Sequence, residues 1–265
     1  MNGIVMARTI KQVPLKVGDE LDRMRMACRI ATRVLRGAAA MVQPGLTTAE
    51  LDSEVGRLIA EQGAVSAFKG YRGFPAHCCL SVNEAVIHGI GNRRRLQFGD
   101  VLKIDVGVRY QGFVGDIAMT VGVGGVSTSF QKLMDTTAQS LYKGISAARP
   151  DSSVMGIGRE VFQCATKAGY GVVREFCGHG VGRNVHEDPQ IPNYPDPSNK
   201  AKLRPGMTVA IEPMITLGDP SVEILADGWT VVTRDRQVAA HFEHTVLITE
   251  SEPEILTRDE GTPLY

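Results

Sequence analysis

Apolar residues recur every three to four positions at Leu21, Met24, Cys28, Ala31 and Leu35, the period of an amphipathic helix, and predict a helix over residues 20–40. Pro44-Gly45 breaks it. Thr47, with Glu50 three residues later, makes a capping box for a second helix that carries Leu51, Val55, Leu58 and Ile59 on one face. Gly63 ends that helix. Further on the pattern loses its helical period. Residues 102–108 and 114–121 are rich in Val and Ile, flank a turn-like Tyr110-Gln111-Gly112, and read as the two strands of a hairpin.

The same grammar returns about 106 residues later. A helix is expected over residues 128–148, Pro150 breaks it, Val161 stands where Val55 stood, and Gly169 where Gly63 stood. GDVLKIDVGV from Gly99 resembles GMTVAIEPMI from Gly206, which puts Asp105 and Glu212 at equivalent points, and HGIG from His88 is echoed by HGVG from His179. A repeat of 20–50 residues would indicate a solenoid. A single duplication indicates two helix–helix–strand halves, about 17–125 and 126–250, in one α+β domain spanning 1–265 with a short tail at about 1–12.

Composition narrows the function. Lys+Arg and Asp+Glu number 29 each, so no net field favours nucleic acid or an anionic membrane. The Arg93-Arg94-Arg95 run lies between glycines and reads as a solvated connection. No apolar stretch has the length of a membrane span, and residues 1–16 lack the apolar core of a signal peptide. The five cysteines, Cys28, Cys78, Cys79, Cys164 and Cys177, show neither CxxC spacing nor a disulfide framework, as expected of a reduced, cytoplasmic chain.

Against this neutral background, Asp105, Asp116, His179, Glu212 and Glu243 lie in apolar or glycine-rich settings: KIDVGV, VGDIAM, CGHGVG, AIEPMI and HFEHTV. Burying one unpaired carboxylate costs on the order of several kcal/mol even after relaxation. Four together would repel and take up protons unless cations neutralised them. Two divalent ions balance four negative charges, and one imidazole completes an oxygen-rich set suited to Mn, Fe, Co or Zn. A hairpin closed by a two- or four-residue loop at the turn makes positions whose numbers sum to 221 face each other, so Asp105 and Asp116 are expected directly opposite on one face. Opposed Cβ atoms lie about 4.5–5.5 Å apart, a spacing suited to two ions about 3.5–4 Å apart.

With SVNEAVIHGI, IDVGVRYQGFVGDIAMT, GHGVGRNVHEDPQI, MTVAIEPM and DGWTVVTRDRQVAAHFEHTVLIT, the chain resembles the type I methionine aminopeptidases of the pita-bread metallopeptidase family from about Leu21 to Leu256. The 31 residues between Glu212 and Glu243 leave no room for the helical insert of type II members, and the short N-terminal region resembles the bacterial form. The resemblance implies two pseudo-symmetric halves around a central antiparallel sheet with a dinuclear metal site, and removal of N-terminal methionine before a small second residue. It implies that Asp116 and Glu243 bridge two cations (Co, Mn, Fe or Zn), Asp105 chelates one, and His179 and Glu212 ligate the other. Glu212 would also handle the proton of an attacking water shared by the ions, whose pKa they lower. His186 resembles the imidazole that polarises the scissile carbonyl, and His88 the one that contacts the scissile nitrogen.

The methionine side chain would lie among Phe68, Tyr71, Phe74, Cys79, Val185 and Trp229. Sulfur–aromatic contacts there contribute about 0.3–1.5 kcal/mol each. Phe68 and Val185 stand where relatives often carry a cysteine and an aromatic residue, so the pocket is expected to differ in shape. The implied partners are N-termini of nascent polypeptides. Where some relatives meet the ribosome through a lysine-rich loop, residues 218–227 read GDPSVEILAD, so any ribosome contact is expected to be weak or made elsewhere. Neither DNA nor membrane is expected as a partner, and the chain is expected to act as a monomer. Two rivals are a proline-directed peptidase of the same fold, whose members usually carry a substantial extra N-terminal domain, and a non-catalytic binding protein, which would be expected to have lost ligands that this chain keeps.

Overall fold

A computed structural model describes residues 13–258, so the short tail expected at about 1–12 lies outside the described residues. The first half opens with α1 (Asp19–Ala40) and α2 (Thr48–Glu61). α2 carries the expected capping box: the Thr47 side chain accepts from Glu50 N, and the Glu50 carboxylate accepts from Thr47 N at 2.8 Å. Five strands follow: β1 (Val65–Ser66), β2 (Cys79–Val82), β3 (Ala85–Ile87), β4 (Val101–Tyr110) and β5 (Phe113–Gly122).

The second half repeats this order with α3 (Thr128–Ser146) and α4 (Val154–Lys167), then β6 (Gly171–Val172), β7 (Gly178–Gly180), β8 (Glu187–Ile191) and β9 (Thr208–Ile211). β10 (Met214–Thr216), β11 (Val222–Ile224), β12 (Val231–Thr233), β13 (Ala239–His241), β14 (Glu243–Leu247) and β15 (Glu254–Ile255) complete the strands, and a single 3-10 turn spans Tyr71–Gly73 in the first half. Both bounds of α4 and both bounds of β6 lie 106 residues beyond those of α2 and β1. The caps repeat too: Thr47 and Ser153 each cap a helix and each form an isolated bridge, to Arg95 and Lys202. The HGIG and HGVG echo is not one of position. His88 follows β3 in the small β11-β12-β3 sheet, whereas His179 lies within β7 of the large one.

The large sheet runs β1-β4-β5-β14-β9-β7-β8, with β2 on β4 and β15 on β14, and all its pairings are antiparallel. The halves join where β5 pairs with β14. One face carries the helices: Ile104, Val106 and Ile117 belong to the same core as Leu35, Leu51 and Val55. A Cβ on Gly115 would run into the α1 backbone at Ala27 and Cys28, so glycine lets the helix approach β5 closely. The next residue, Asp116, therefore points to the opposite face, because successive strand side chains alternate. Both faces are covered, which is why β4 and β5 are buried over most of their length.

The hairpin register differs from the expected one by one step. Tyr110 pairs with Phe113 around a two-residue turn in which Gln111 and Gly112 have φ of 46° and 83°, the positive values of a type I′ turn. Asp105 thus pairs with Ala118, and Asp116 with Gly107. The two aspartates share a face, but as diagonal rather than opposed neighbours, about 7–8 Å apart at the backbone.

Candidate metal centre

On the face away from the helices, Asp105 of β4, Ala118 of β5 and Glu243 of β14 form one lateral row, because Ala118 pairs with both acids' strands at those residues. Asp116 stands one pleat along β5. Its backbone is fixed by Thr245 on β14, whose Oγ1 donates to Asp116 O at 2.8 Å and accepts from Asp116 N at 3.2 Å. Glu212 follows β9, and its carbonyl accepts from Asn193 Nδ2 at 3.0 Å. His179 on β7 pairs with Ala210 of β9, which brings its ring beside Glu212. The separation from His179 Nε2 to Glu212 Oε1 is 3.4 Å.

All five groups are buried. Asp105 Oδ1, Asp116 Oδ1 and Glu243 Oε1 have no hydrogen-bond partner among the described residues. Burial, then the charge on Glu212, pushes Asp105 up to about 8. Burial and the neighbouring carboxylates push Asp116, Glu212 and Glu243 well above the ordinary range. The imidazoles move the other way: burial, then His186, takes His179 down to about 3. The ring is neutral, so its contact with Glu212 is no ion pair.

His179 Nδ1 lies 2.9 Å from Gly180 O, a carbonyl that can only accept. Nδ1 therefore carries the proton and Nε2 turns a lone pair toward the acids, the tautomer of a metal ligand. Donor atoms of Asp116, His179 and Glu243 lie within 4.8 Å of one another, as do those of Glu212, His241 and Glu243. The residues fit a divalent cation centre. It would leave the carboxylates ionised and give their orphaned oxygens a partner.

A cavity of about 310 Å³ opens over these groups, and every site residue expected from the sequence lines it. Phe68 lies over Gly107, where a Cβ would overlap its ring, so the glycine makes room for the aromatic wall. Phe74 meets Trp229 edge-on at 5.1 Å between ring centroids, and Cys79 pairs in register with Asp105. His88, with φ of 57°, meets Trp229 and Phe176 edge-on. Burial, then His186, holds His88 down to about 4. His186 stacks on Tyr71 at 5.4 Å, and its Nδ1 lies 2.9 Å from the Tyr71 hydroxyl.

The sequence reading missed Arg72, Ile87, Glu175, Phe176, Cys177 and Gln190 in the lining, and His241 beneath it. These lining residues lie on a connection, on a single 3-10 turn or on short strands, where no periodicity points them inward. His241 left a weaker signal, a polar residue in an apolar run two positions before Glu243, although the two belong to different strands, β13 and β14.

A family model described as metallopeptidase family M24 matches residues 22–250. Methionine aminopeptidase 1 of Bacillus subtilis is 45% identical over 243 residues, covering 92% of this chain and 98% of that protein. The crystal structure of a methionine aminopeptidase from Thermotoga maritima superposes with a TM-score of 0.91 at 39% identity, covering 94% of this chain and all of that one. A prolidase from Pyrococcus furiosus shares the fold at a TM-score of 0.76 and 24% identity. There the match covers 93% of this chain but 66% of the prolidase.

Proposed function

The chain belongs to metallopeptidase family M24, and from that premise we propose that it removes N-terminal methionine from peptides through the cavity above Asp105, Asp116, His179, Glu212 and Glu243. The observation that carries this reading is the set of buried carboxylate oxygens without partners, converging with an imidazole whose Nδ1 faces a backbone carbonyl, at the floor of an aromatic-walled cavity. Likeness at 45% identity to a methionine aminopeptidase supports the substrate class over a proline-directed one. The charge balance of four carboxylates favours two cations.

Asp116 and Glu243 would be shared between the cations, Asp105 would serve one of them, and His179 with Glu212 the other. When bound, such ions lower the pKa of an attacking water and polarise the scissile carbonyl. Glu212 then receives the proton of that water and passes it to the leaving amine.

His186 acts on the substrate oxygen. With the Tyr71 hydroxyl donating to Nδ1, the proton of a neutral ring sits on Nε2, ready to donate to the carbonyl as negative charge develops there. His88, kept neutral, meets the scissile nitrogen from the other side. Phe68, Phe74, Cys79, Val185 and Trp229 receive the methionine side chain, whose thioether suits aromatic edges.

We take residues of both halves to work as one catalytic domain, since the site draws acids from β4 and β5 and from β9 and β14. The five free cysteines support action in a reducing, cytoplasmic setting on emerging N-termini. No helix among the described residues is long and apolar enough to cross a membrane.

The test is a peptide panel. Met-Gly, Met-Ala and Met-Ser peptides should release methionine, while Met-Leu and Met-Lys peptides should react poorly. A second side chain too large by one methylene in a tight site loses about 1–3 kcal/mol. Equal rates for Met-Gly and Met-Lys, or preferential cleavage of X-Pro peptides lacking methionine, would overturn the reading.

A further inference from the structure

His241 is 1% exposed, and neither ring nitrogen has a hydrogen-bond partner among the described residues. A buried imidazole left this way is costly unless its position serves something else. Its placement is tightly built. His241 ends β13 opposite Met214, and the Thr120 hydroxyl on the site face of β5 grips its backbone. Thr120 Oγ1 accepts from His241 N at 2.9 Å and donates to His241 O at 2.6 Å. The same device holds Asp116, gripped by Thr245. The clamp sets His241 Nε2 at 3.5 Å from Glu212 Oε2, while the other oxygen of that carboxylate faces His179.

We propose that His241 is a positioning residue of the metal centre: its Nε2–H faces Glu212 Oε2 and fixes the carboxylate so that Oε1 is presented on the His179 side. The inference rests on the metallopeptidase reading above and assigns this group a role within it. The contrast with His179 argues against direct ligation. A ligating imidazole needs an acceptor for its second N–H. His179 has Gly180 O, and nothing among the described residues accepts from His241 Nδ1. Placing the ring's proton on Nε2, toward Glu212, avoids a buried N–H at Nδ1 with no acceptor. Glu212 handles the water's proton in the proposed reaction, so its rotamer governs turnover as well as affinity.

The test compares His241→Leu, which removes the donor, with His241→Gln, which keeps an N–H on a side chain of similar reach. His241→Asn, a polar but shorter side chain, replaces the leucine variant if that one does not fold. Co(II) is titrated into the chelator-stripped proteins and followed by calorimetry and by the visible d–d bands, and turnover is measured separately. The leucine variant should bind Co(II) about 10–100-fold more weakly, with altered d–d intensity, wild-type stoichiometry at saturation, and a loss in kcat rather than in KM. The glutamine variant should recover to within a few-fold.

Wild-type affinity and bands in the leucine variant would overturn the proposal. So would loss of one ion in both variants, which would make the imidazole itself a ligand. Co(II) uptake without methionine release by the wild-type protein would overturn the activity alone and leave the His241 comparison standing. No Co(II) uptake by the wild type would overturn both.

Discussion

Asp105 and Glu243 flank Ala118 in one row of the sheet, the first from β4 and the second from β14, so a single methyl group separates the acids of the two halves. Glu243 also belongs to both sets of converging donor atoms, one with Asp116 and His179 and one with Glu212 and His241. In the proposed assignment, Glu243→Gln and Asp116→Asn keep shape but delete a charge that two cations would share. They should weaken both binding events, whereas Asp105→Asn should weaken one. Calorimetric titration of the metal-stripped variants checks this, and two wild-type-like sites in Asp116→Asn would contradict it.

Ala118 has to be small. Ala118→Val or Ala118→Leu would push carbon into the space between the two carboxylates. Overpacking of this kind costs about 1–3 kcal/mol in a core, and here the strain falls on the acids. Cation affinity should fall at least tenfold in the leucine variant, with a smaller loss in the valine variant. Measured affinities unchanged from wild type would mean that the row does not define the site.

Tyr71 and His186 separate chemistry from metal binding. His186→Ala should lower kcat by about 10²–10³-fold, the usual effect of losing one donor to a developing oxyanion. Tyr71→Phe keeps the ring stack but releases Nδ1, and a net hydrogen-bond worth of about 1 kcal/mol corresponds to a several-fold loss. Metal content should stay at the wild-type value in both, while His179→Ala should lose affinity for a cation. Plasma emission spectrometry with single-turnover rates distinguishes them. A metal lost from His186→Ala and retained in His179→Ala would exchange the two roles.

Without cations, stability should depend on pH in a direction set by the buried acids. Folded Asp105 keeps its proton up to about 8, against an ordinary value of 3.8. Between those values the folded chain binds more protons than the unfolded one, so stability falls as pH rises. His179 and His241, held at about 3 against 6.5, act oppositely, but only as pH drops below 6.5. From pH 6.5 to 8 the four raised carboxylates are opposed by buried Lys103, held down to about 7 against 10.5, and their greater number sets the direction. Thermal melts of metal-free protein should show a higher midpoint at pH 6.5 than at pH 8, with the gap narrowing when Mn(II) or Co(II) is added. A midpoint that rises with pH in the metal-free protein would contradict this.

The helices were legible because their signals are local: Thr47 with Glu50 both predicts and forms the cap of α2, and the 106-residue shift reproduces α4. The burial of four acids and one imidazole, Asp105, Asp116, Glu212, Glu243 and His179, was legible because charge in apolar strands has few physical explanations. The hairpin register was missed by one step because it depends on which residue takes positive φ. Gln111 does so and Tyr110 stays in the strand, which apolar patterning does not distinguish. Arg72 and Phe176 reach the cavity from irregular segments, where direction is set by tertiary packing. Phe68 needed Gly107 on a distant strand before its place in the wall made sense.

The most direct test of the account is release of free methionine from a Met-Gly peptide by the purified protein, before chelation, after it, and after Mn(II) or Co(II) is returned. The account predicts methionine release that disappears with chelation and returns with the cation, with no release when Asp116→Asn is treated identically. Undiminished release after complete metal removal, or none under any metal condition from folded protein, would contradict it.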